Sequence, residues 1–167
     1  MVLAVALVLQ AVAVPALSSA LDSMRLRAVN QALFVSLQLT RSEAIKRGGR
    51  VVLCKSASGA DCSRNGGWEQ GWIVFHDRNN NAQVDAGEAI LQREPHLGGA
   101  LRLRGNNLVE SYVSYTALGN ASMTGGGMQM GTLTLCQPQA NQVTARQIVI
   151  SSSGRARMQK AKLDRCG

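Results

Sequence analysis

Residues 22–47, DSMRLRAVNQALFVSLQLTRSEAIKR, decide the fold of this chain because they describe one uninterrupted amphipathic helix. They contain neither glycine nor proline, and their basic residues lie mostly off an apolar stripe that recurs at spacings of three and four. The stripe consists of Leu26, Val29, Leu33, Leu37 and Ala44. Such a helix lays its apolar face on a globular body. Lys46 and Arg47 suit the negative end of the helix dipole, and Gly48-Gly49 predicts the end of the helix.

The segment before this helix, residues 1–21, carries no charged residue and reads MVLAVALVLQAVAVPALSSAL. A cleaved signal peptide would begin with basic residues, and none precedes Val2. Crossing a bilayer requires at least about 17 apolar residues, and Pro15 would kink such a helix without excluding it from a membrane. We therefore predict one long helix from Val2 to about Arg47, with residues 1–21 as its transmembrane half and residues 22–49 as its amphipathic half.

Residues 50–167 have the pattern of a β-rich globular head. Short runs of β-branched and alternating apolar residues, separated by glycine-rich turns, predict a series of strands. The predicted strands are 50–55, 71–76, 89–93, 100–104, 109–116, 132–136 and 146–151, with 156–158 as an extension. We therefore predict an α+β, pilin-like fold in which the N-terminal helix packs on an antiparallel β-sheet head.

The charge of the chain, +8 in total, is concentrated at the two ends of the soluble part. Residues 22–50 carry six basic and two acidic residues, a balance of +4, and residues 146–167 carry six and one, a balance of +5. The intervening residues 51–145 carry six basic and seven acidic residues, a balance of −1. Such asymmetry favours contact with lipid headgroups or nucleic acid, although a charged tail can also be simply solvated.

The basic C-terminal tail contains the candidate nucleic-acid site. Its members are Gly154, Arg155, Arg157, Lys160, Lys162 and Arg165. Arg155 and Arg157 are two residues apart, so in an extended segment they point the same way and can grip successive phosphates. No aromatic residue is interleaved, which predicts sequence-independent, salt-sensitive binding to double-stranded DNA. The alternative is a turn that leads into a solvated edge strand.

A second candidate site has the spacing of a calcium-binding loop. Oxygen-bearing side chains stand at loop positions one, three, five, nine and twelve, as an EF-hand loop requires. These residues are Asp77, Asn79, Asn81, Asp85 and Glu88. Ala82 replaces the glycine of the sharp turn, and both flanks have the pattern of strands rather than helices. The alternative is therefore a polar β-hairpin connection without a metal.

The remaining chemistry-bearing residues do not form a catalytic motif. His76 and His96 are the only histidines, and neither a GxSxG nor an HExxH sequence is present. We therefore predict that the chain is not an enzyme, has no catalytic residue and needs no cofactor. The four cysteines are Cys54, Cys62, Cys136 and Cys166. Their spacing does not suit zinc, which leaves two disulfides formed in an oxidising compartment, or buried free thiols, as the interpretations.

Five segments together carry a resemblance to a known family. In chain order they are VLAVALVLQAVAVPAL, RSEAIKRGGRVVLC, WEQGWIVFHDRNNN, GTLTLC and IVISSSGRAR. No single segment is specific, but their order and spacing over nearly the whole chain resemble the FimT/GspH family of minor pilins and pseudopilins. The resemblance implies a structural subunit of a type II secretion pseudopilus or type IV pilus, acting in filament assembly and protein secretion.

The resemblance also implies the partners and roles of several residues. It pairs Cys54 with Cys62 and Cys136 with Cys166, and it implies assembly with other pilins through the N-terminal helix. Some pilus members bind DNA during uptake through a Gly-Arg-x-Arg segment, so DNA uptake in natural transformation is the alternative function. Here that segment is Gly154, Arg155 and Arg157.

The family's usual start is missing from this sequence. Members begin with a basic leader and a Gly-Phe-Thr-Leu-Ile-Glu type sequence, which a prepilin peptidase cuts and N-methylates. The chain instead starts at Met1 inside the apolar stretch, and we favour a start codon placed too far downstream over a non-functional fragment. The location that the resemblance implies is the bacterial inner membrane, crossed once, with the head in the periplasm or assembled into a filament.

Overall fold

A single long helix, α1 (Val2–Arg47), forms the N-terminal part of the chain and is continuous through Pro15, as predicted. In this computed structural model, residues 2–138 and 143–166 are described, with side chains from residue 20 onward. The helix ends in a Schellman motif: the Gly49 and Gly48 N–H groups donate to the carbonyls of Ala44 and Ile45, and Gly48 has a φ of 62°. The glycine pair therefore ends the helix where the sequence predicts.

Within the part of the chain that the structure describes, no helix has the length and apolarity that crossing a membrane requires.

Eight strands follow, in two four-stranded antiparallel sheets. The strands are β1 (Arg50–Lys55), β2 (Trp72–Asp77), β3 (Ile90–Glu94), β4 (Arg102–Gly105), β5 (Tyr112–Tyr115), β6 (Gly131–Cys136), β7 (Val143–Ile150) and β8 (Ala156–Leu163). The first sheet has the order β3-β2-β1-β5, and the second has the order β4-β6-β7-β8. The division into two sheets differs from the single sheet predicted, because hydrophobic alternation does not reveal which strands pair.

Three strands differ from the prediction by three residues or more, one of them β7, which begins at Val143 rather than at residue 146. The predicted 109–116 strand begins only at Tyr112, because Asn107–Val109 forms a 3₁₀ turn. The predicted extension at 156–158 is instead a full strand of eight residues that pairs with β7 along its whole length. Most of the basic tail is therefore an edge strand of the second sheet.

The main core lies between α1 and one face of each sheet. Its helix side consists of the predicted stripe: Leu33, Leu37 and Ala44 are fully buried, and Leu26 and Val29 are partly buried. The sheets contribute large side chains that are also fully buried: Leu53, Trp72, Val74, Val113, Tyr115, Leu103, Leu133, Leu135, Ile148 and Ile150. Burial of one continuous apolar cluster by both sheets explains why the head folds around the helix.

Two disulfides close the loops of the head, and all four cysteines take part. Cys54 is bonded to Cys62 and Cys136 to Cys166, with Cα–Cα distances of 5.6 Å and 5.8 Å. These are ordinary separations for a disulfide. The pairing implied by the family resemblance is therefore confirmed, and the interpretation as buried free thiols is wrong.

Candidate functional site: the exposed helix face and the basic edge strand

The side of α1 that faces away from the head carries an exposed apolar stripe. Its members are Leu21, Met24, Val35 and Ile45, which are 57%, 62%, 51% and 52% exposed. At 100° per residue Leu21, Met24 and Val35 fall on the side of the helix opposite Leu33 and Leu37, whereas Ile45 lies at the flank, where it borders Gly119 of the head. The hydrogen bonds and packing of the head therefore use one face of α1 and leave the other unpartnered within the described residues. We call these four residues the exposed stripe.

Two arginines fix how α1 sits against the head. Arg41 donates from Nε to the Gly119 carbonyl at 2.9 Å and from Nη2 to the Ser153 carbonyl at 3.3 Å. Arg25 donates from Nη2 to the Leu97 carbonyl at 2.7 Å. Because these contacts lie near opposite ends of the packed part of the helix, they set the direction in which the exposed stripe points.

Gly154, the first residue of the Gly-Arg-x-Arg segment, is buried in the hairpin turn between β7 and β8. Its N–H donates to the Ser151 carbonyl at 2.9 Å, and its φ is +79°. A Cβ at this position would lie 2.0 Å from the Gly119 carbonyl oxygen and 3.1 Å from the Tyr115 ring. The glycine is therefore required by the turn, which was the alternative to phosphate binding, and by close packing against Gly119, which the sequence did not indicate.

The two arginines of that segment are exposed. Arg157 faces the outer side of the second sheet, away from α1, and donates from Nη1 to Gln159 Oε1 at 2.8 Å. Arg155 lies in the turn, and its carbonyl accepts the Ser151 N–H. The structure of this segment is therefore the turn and solvated edge strand that the sequence offered as the alternative to a DNA site.

The lysines of the tail point to the opposite side of the second sheet. Lys160 is the cross-strand partner of Arg146, and Lys162 that of Thr144, on the face that also carries Ile148 and Ile150. The candidate DNA-binding residues are therefore divided between two faces of one edge strand, because successive residues of a strand alternate. Two further basic residues were not among the candidates: Arg146, which the strand pairing places opposite Lys160, and Arg27, whose charge lowers the pKa of Arg146.

The candidate calcium loop covers the outer face of the first sheet. Ala82 is buried and has a φ of 56°, so it adopts the left-handed conformation usual for the glycine that it replaces. Both carboxylate oxygens of the buried Asp77 accept backbone N–H groups, from Asn81 at 3.1 Å and Ala82 at 2.9 Å. Asp77 therefore holds the turn by local hydrogen bonds.

The other candidate ligands converge on Asp85. Asn79 and Asn81 donate to Asp85 Oδ2 at 2.8 Å and 2.7 Å, and these hydrogen bonds lower the pKa of Asp85. Glu88 accepts the Arg78 and Asp85 backbone N–H groups. Among the described residues, no group of three or more His, Cys, Asp or Glu side chains is arranged to hold a metal ion. The calcium site, which also counts asparagines, stays a prediction.

The sequence of the head and the packed part of α1 matches a known protein family. The family described as "Type II transport protein GspH" matches residues 29–154. This chain belongs to the GspH family. No curated protein sequence is significantly similar to this GspH-family chain.

Two solved structures share its fold. The type IV minor pilin FimU of Pseudomonas aeruginosa is 20% identical, with a TM-score of 0.61 over 87% of this chain and 98% of FimU. The minor pseudopilin EpsH from the type 2 secretion system of Vibrio cholerae is 11% identical, with a TM-score of 0.52 over 80% of this chain and 94% of EpsH. The predicted resemblance and the pilin-like α+β fold are confirmed.

Proposed function

We propose that this GspH-family chain is a structural subunit of a type II secretion pseudopilus or a type IV pilus. In this proposal residues 1–21 anchor the chain in the inner membrane and later pack in the filament interior, residues 22–49 connect the anchor to the head, and the head faces the periplasm. The uncharged sequence of residues 1–21 supports the anchor, since a bilayer core accepts such a segment without burying charge. No catalytic role is proposed.

The observation that carries this proposal is the exposed stripe. Four large apolar side chains stay about half exposed over a length of more than six turns, on a helix whose other face packs on the head. Keeping apolar surface in water is unfavourable, so large apolar side chains left exposed at intervals along a helix favour a contact with another protein. The partner that suits a long helical stripe is another helix, packed side by side, as in a filament of like subunits.

The proposal is tested by placing a charge on the exposed stripe in cells that make the filament. We expect Val35→Asp to leave the chain folded and membrane-associated but to exclude it from sheared filaments, because the carboxylate would be buried between helices. Leu118→Asp, at an apolar head residue that is 81% exposed, is the matched control and should assemble normally. Normal incorporation of Val35→Asp would overturn helix-mediated assembly.

A second candidate function is DNA binding during uptake, which we propose as the alternative. The observation that favours it is the exposure of Arg155, Arg157, Lys160, Lys162 and Arg165 along and beside one edge strand. Their side chains can reach phosphates from both sides of that edge. The two functions are compatible, since the exposed stripe and the edge strand belong to different surfaces.

A further inference from the structure

A cluster of four cations lies beside α1, beyond the end of the apolar core. Arg146 and Lys160 are directly opposite each other in the β7–β8 pairing, and Lys162 lies on the same face two residues later. Arg27 lies on α1, which packs against β7 and β8. Burial lowers the pKa of Arg146, and the charge of Arg27 lowers it further. We call Arg27, Arg146, Lys160 and Lys162 the rim cluster.

The rim cluster has no carboxylate partner among the described residues. The ion pairs among the described residues are Lys46–Glu43, Arg47–Glu43 and Arg104–Glu69, and none of them includes a residue of the rim cluster. Like charges opposite each other on neighbouring strands are destabilising. Lysines on an edge strand can protect it from aggregation, which would account for Lys160 and Lys162. That explanation does not cover Arg146, which is half-buried on an interior strand.

The rim cluster lies at the end of the head from which the uncharged segment leaves. Asp22, the first charged residue after residues 1–21, accepts a hydrogen bond from Gln137 Nε2 at 3.4 Å. Gln137 directly follows Cys136, and the disulfide from Cys136 to Cys166 holds the end of the tail close to this part of the head. Arg27 is five residues beyond Asp22, or about 7.5 Å along the helix axis. The headgroup layer on each side of a bilayer is about 5–8 Å thick.

We propose that the rim cluster binds the headgroups of anionic phospholipids in the membrane that anchors residues 1–21. This inference rests on the membrane anchoring stated under the proposed function. Guanidinium groups form paired hydrogen bonds with phosphate, and lysines add point charges at the same surface. A lipid headgroup is also small enough to reach the half-buried Arg146 beside α1. Contact with lipid would hold the head against the membrane before assembly.

The test uses the full chain in lipid nanodiscs and follows the acetylation of individual lysines by mass spectrometry. One set of discs contains phosphatidylcholine alone, and the other contains about one-third phosphatidylglycerol. Lys46 is the internal control: its side chain is 77% exposed, and it lies 19 residues, or about 28 Å, along α1 from Arg27. We expect Lys160 and Lys162 to be acetylated roughly five-fold more slowly in the anionic discs, the factor that one favourable cation contact supplies. Lys46 should react equally in both.

Two further arms establish that charge and the arginines cause the protection. Salt at ~1 M shortens the screening length to about 3 Å and should abolish the protection. The double variant Arg27→Gln with Arg146→Gln should also abolish the protection and leave the acetylation of Lys46 unchanged. If the double variant fails to fold, Arg27→Gln alone is used, and this substitution of an exposed residue should weaken the protection.

The outcomes separate this proposal from the anchoring on which it rests. A chain that does not co-purify with discs of either composition would overturn both the anchoring and the lipid contact. A chain that inserts equally into both discs but shows the same acetylation of Lys160 and Lys162 would overturn the lipid contact alone. Protection that appears only when double-stranded DNA is added to phosphatidylcholine discs would assign the rim cluster to DNA instead.

Discussion

Trp72 Nε1 donates a hydrogen bond of 3.0 Å to Ser36 Oγ, and both side chains are fully buried. Ser36 in turn donates to the Ala32 carbonyl at 3.0 Å. The only polar atom of the Trp72 side chain is thus satisfied by the helix, and this hydrogen bond connects α1 to the first sheet in the middle of the core. A buried donor that loses its acceptor keeps its full desolvation cost.

We therefore expect Ser36→Ala to destabilise the head, although it removes only one oxygen atom. The unpaired Trp72 N–H should cost about 1–3 kcal/mol in the free energy of unfolding. Ser42→Ala, at an exposed helix residue whose hydroxyl bonds only the Leu39 carbonyl, should cost under about 0.5 kcal/mol. Urea denaturation followed by tryptophan fluorescence measures both. Equal effects of the two substitutions would contradict a structural role for this hydrogen bond.

Replacing Gly154 should separate its structural role in the turn from the phosphate contacts proposed for Arg155 and Arg157. Gly154→Ala introduces a Cβ about 2.0 Å from the Gly119 carbonyl as well as strain at positive φ. Gly126→Ala is the matched control, because Gly126 has a φ of +89° but no atom within 4 Å. The control should lose only the ~1–2 kcal/mol of left-handed strain, and Gly154→Ala should lose more. Similar losses in thermal denaturation would show that the contact with Gly119 does not matter.

The loop around Asp85 should depend on pH in a defined direction. Hydrogen bonds from Asn79 and Asn81 lower the pKa of Asp85 below its ordinary value of 3.8, so the ionised form favours the folded loop. The stabilisation is therefore present above that value and is lost as the pH falls through the lowered pKa. The side-chain amide NMR signals of Asn79 and Asn81 should stay shifted at pH 5 and relax only at lower pH. Signals that relax above pH 4.5 would contradict these contacts.

The prediction that this loop binds calcium can be tested separately from the hydrogen bonds that hold the loop. If the loop binds Ca²⁺, millimolar calcium should shift the Asn79 and Asn81 amide signals and raise the melting temperature of the solubilised chain. Glu88→Gln should abolish that response while keeping an acceptor for the Arg78 N–H. No spectral change at millimolar calcium would leave Asp77 and Asp85 as turn-stabilising residues only.

Binding of DNA by the edge strand should show the salt dependence of phosphate contacts. About four or five contacts give a log–log slope near −4, so affinity should fall roughly 250-fold between ~50 and ~200 mM salt. Arg155→Ala with Arg157→Ala should remove about two units of that slope. Arg64→Ala with Arg78→Ala, at two exposed residues elsewhere, is the charge-matched control. DNA affinity is measured by fluorescence polarisation. Equal losses of affinity in both double variants would show that net charge alone, and not the position of Arg155 and Arg157, causes the binding.

The sequence predicted the parts of the fold that depend on local pattern. The stripe of α1 and the glycine pair after it are periodic or positional signals, and both led to the correct helix. Pairing of strands into two sheets could not be predicted, since register depends on contacts between distant residues. The basic tail had too few apolar residues to indicate more than a short strand at 156–158, yet β8 extends to Leu163 because β7 supplies hydrogen bonds along its whole length and a disulfide ties its end to β6.

The candidate surfaces were predictable only where one segment contains them. Arg155 and Arg157 are neighbours in sequence and were recognised. Arg27 and Arg146 are 119 residues apart, and only the packing of α1 on the second sheet brings them together. The exposed stripe was also missed, because Leu21, Met24, Val35 and Ile45 are too widely spaced to stand out beside the stronger buried stripe.

The most direct test of the filament proposal is photo-crosslinking from the exposed stripe in assembled filaments. A photoreactive phenylalanine at position 35 should give an adduct with the N-terminal helix of another pilin-type subunit, because Val35 projects away from the head. The same residue at position 118, on the head, should give no adduct with such a helix. Adducts at position 35 that contain no pilin-type helix, or none at all in filaments that contain the chain, would contradict the account.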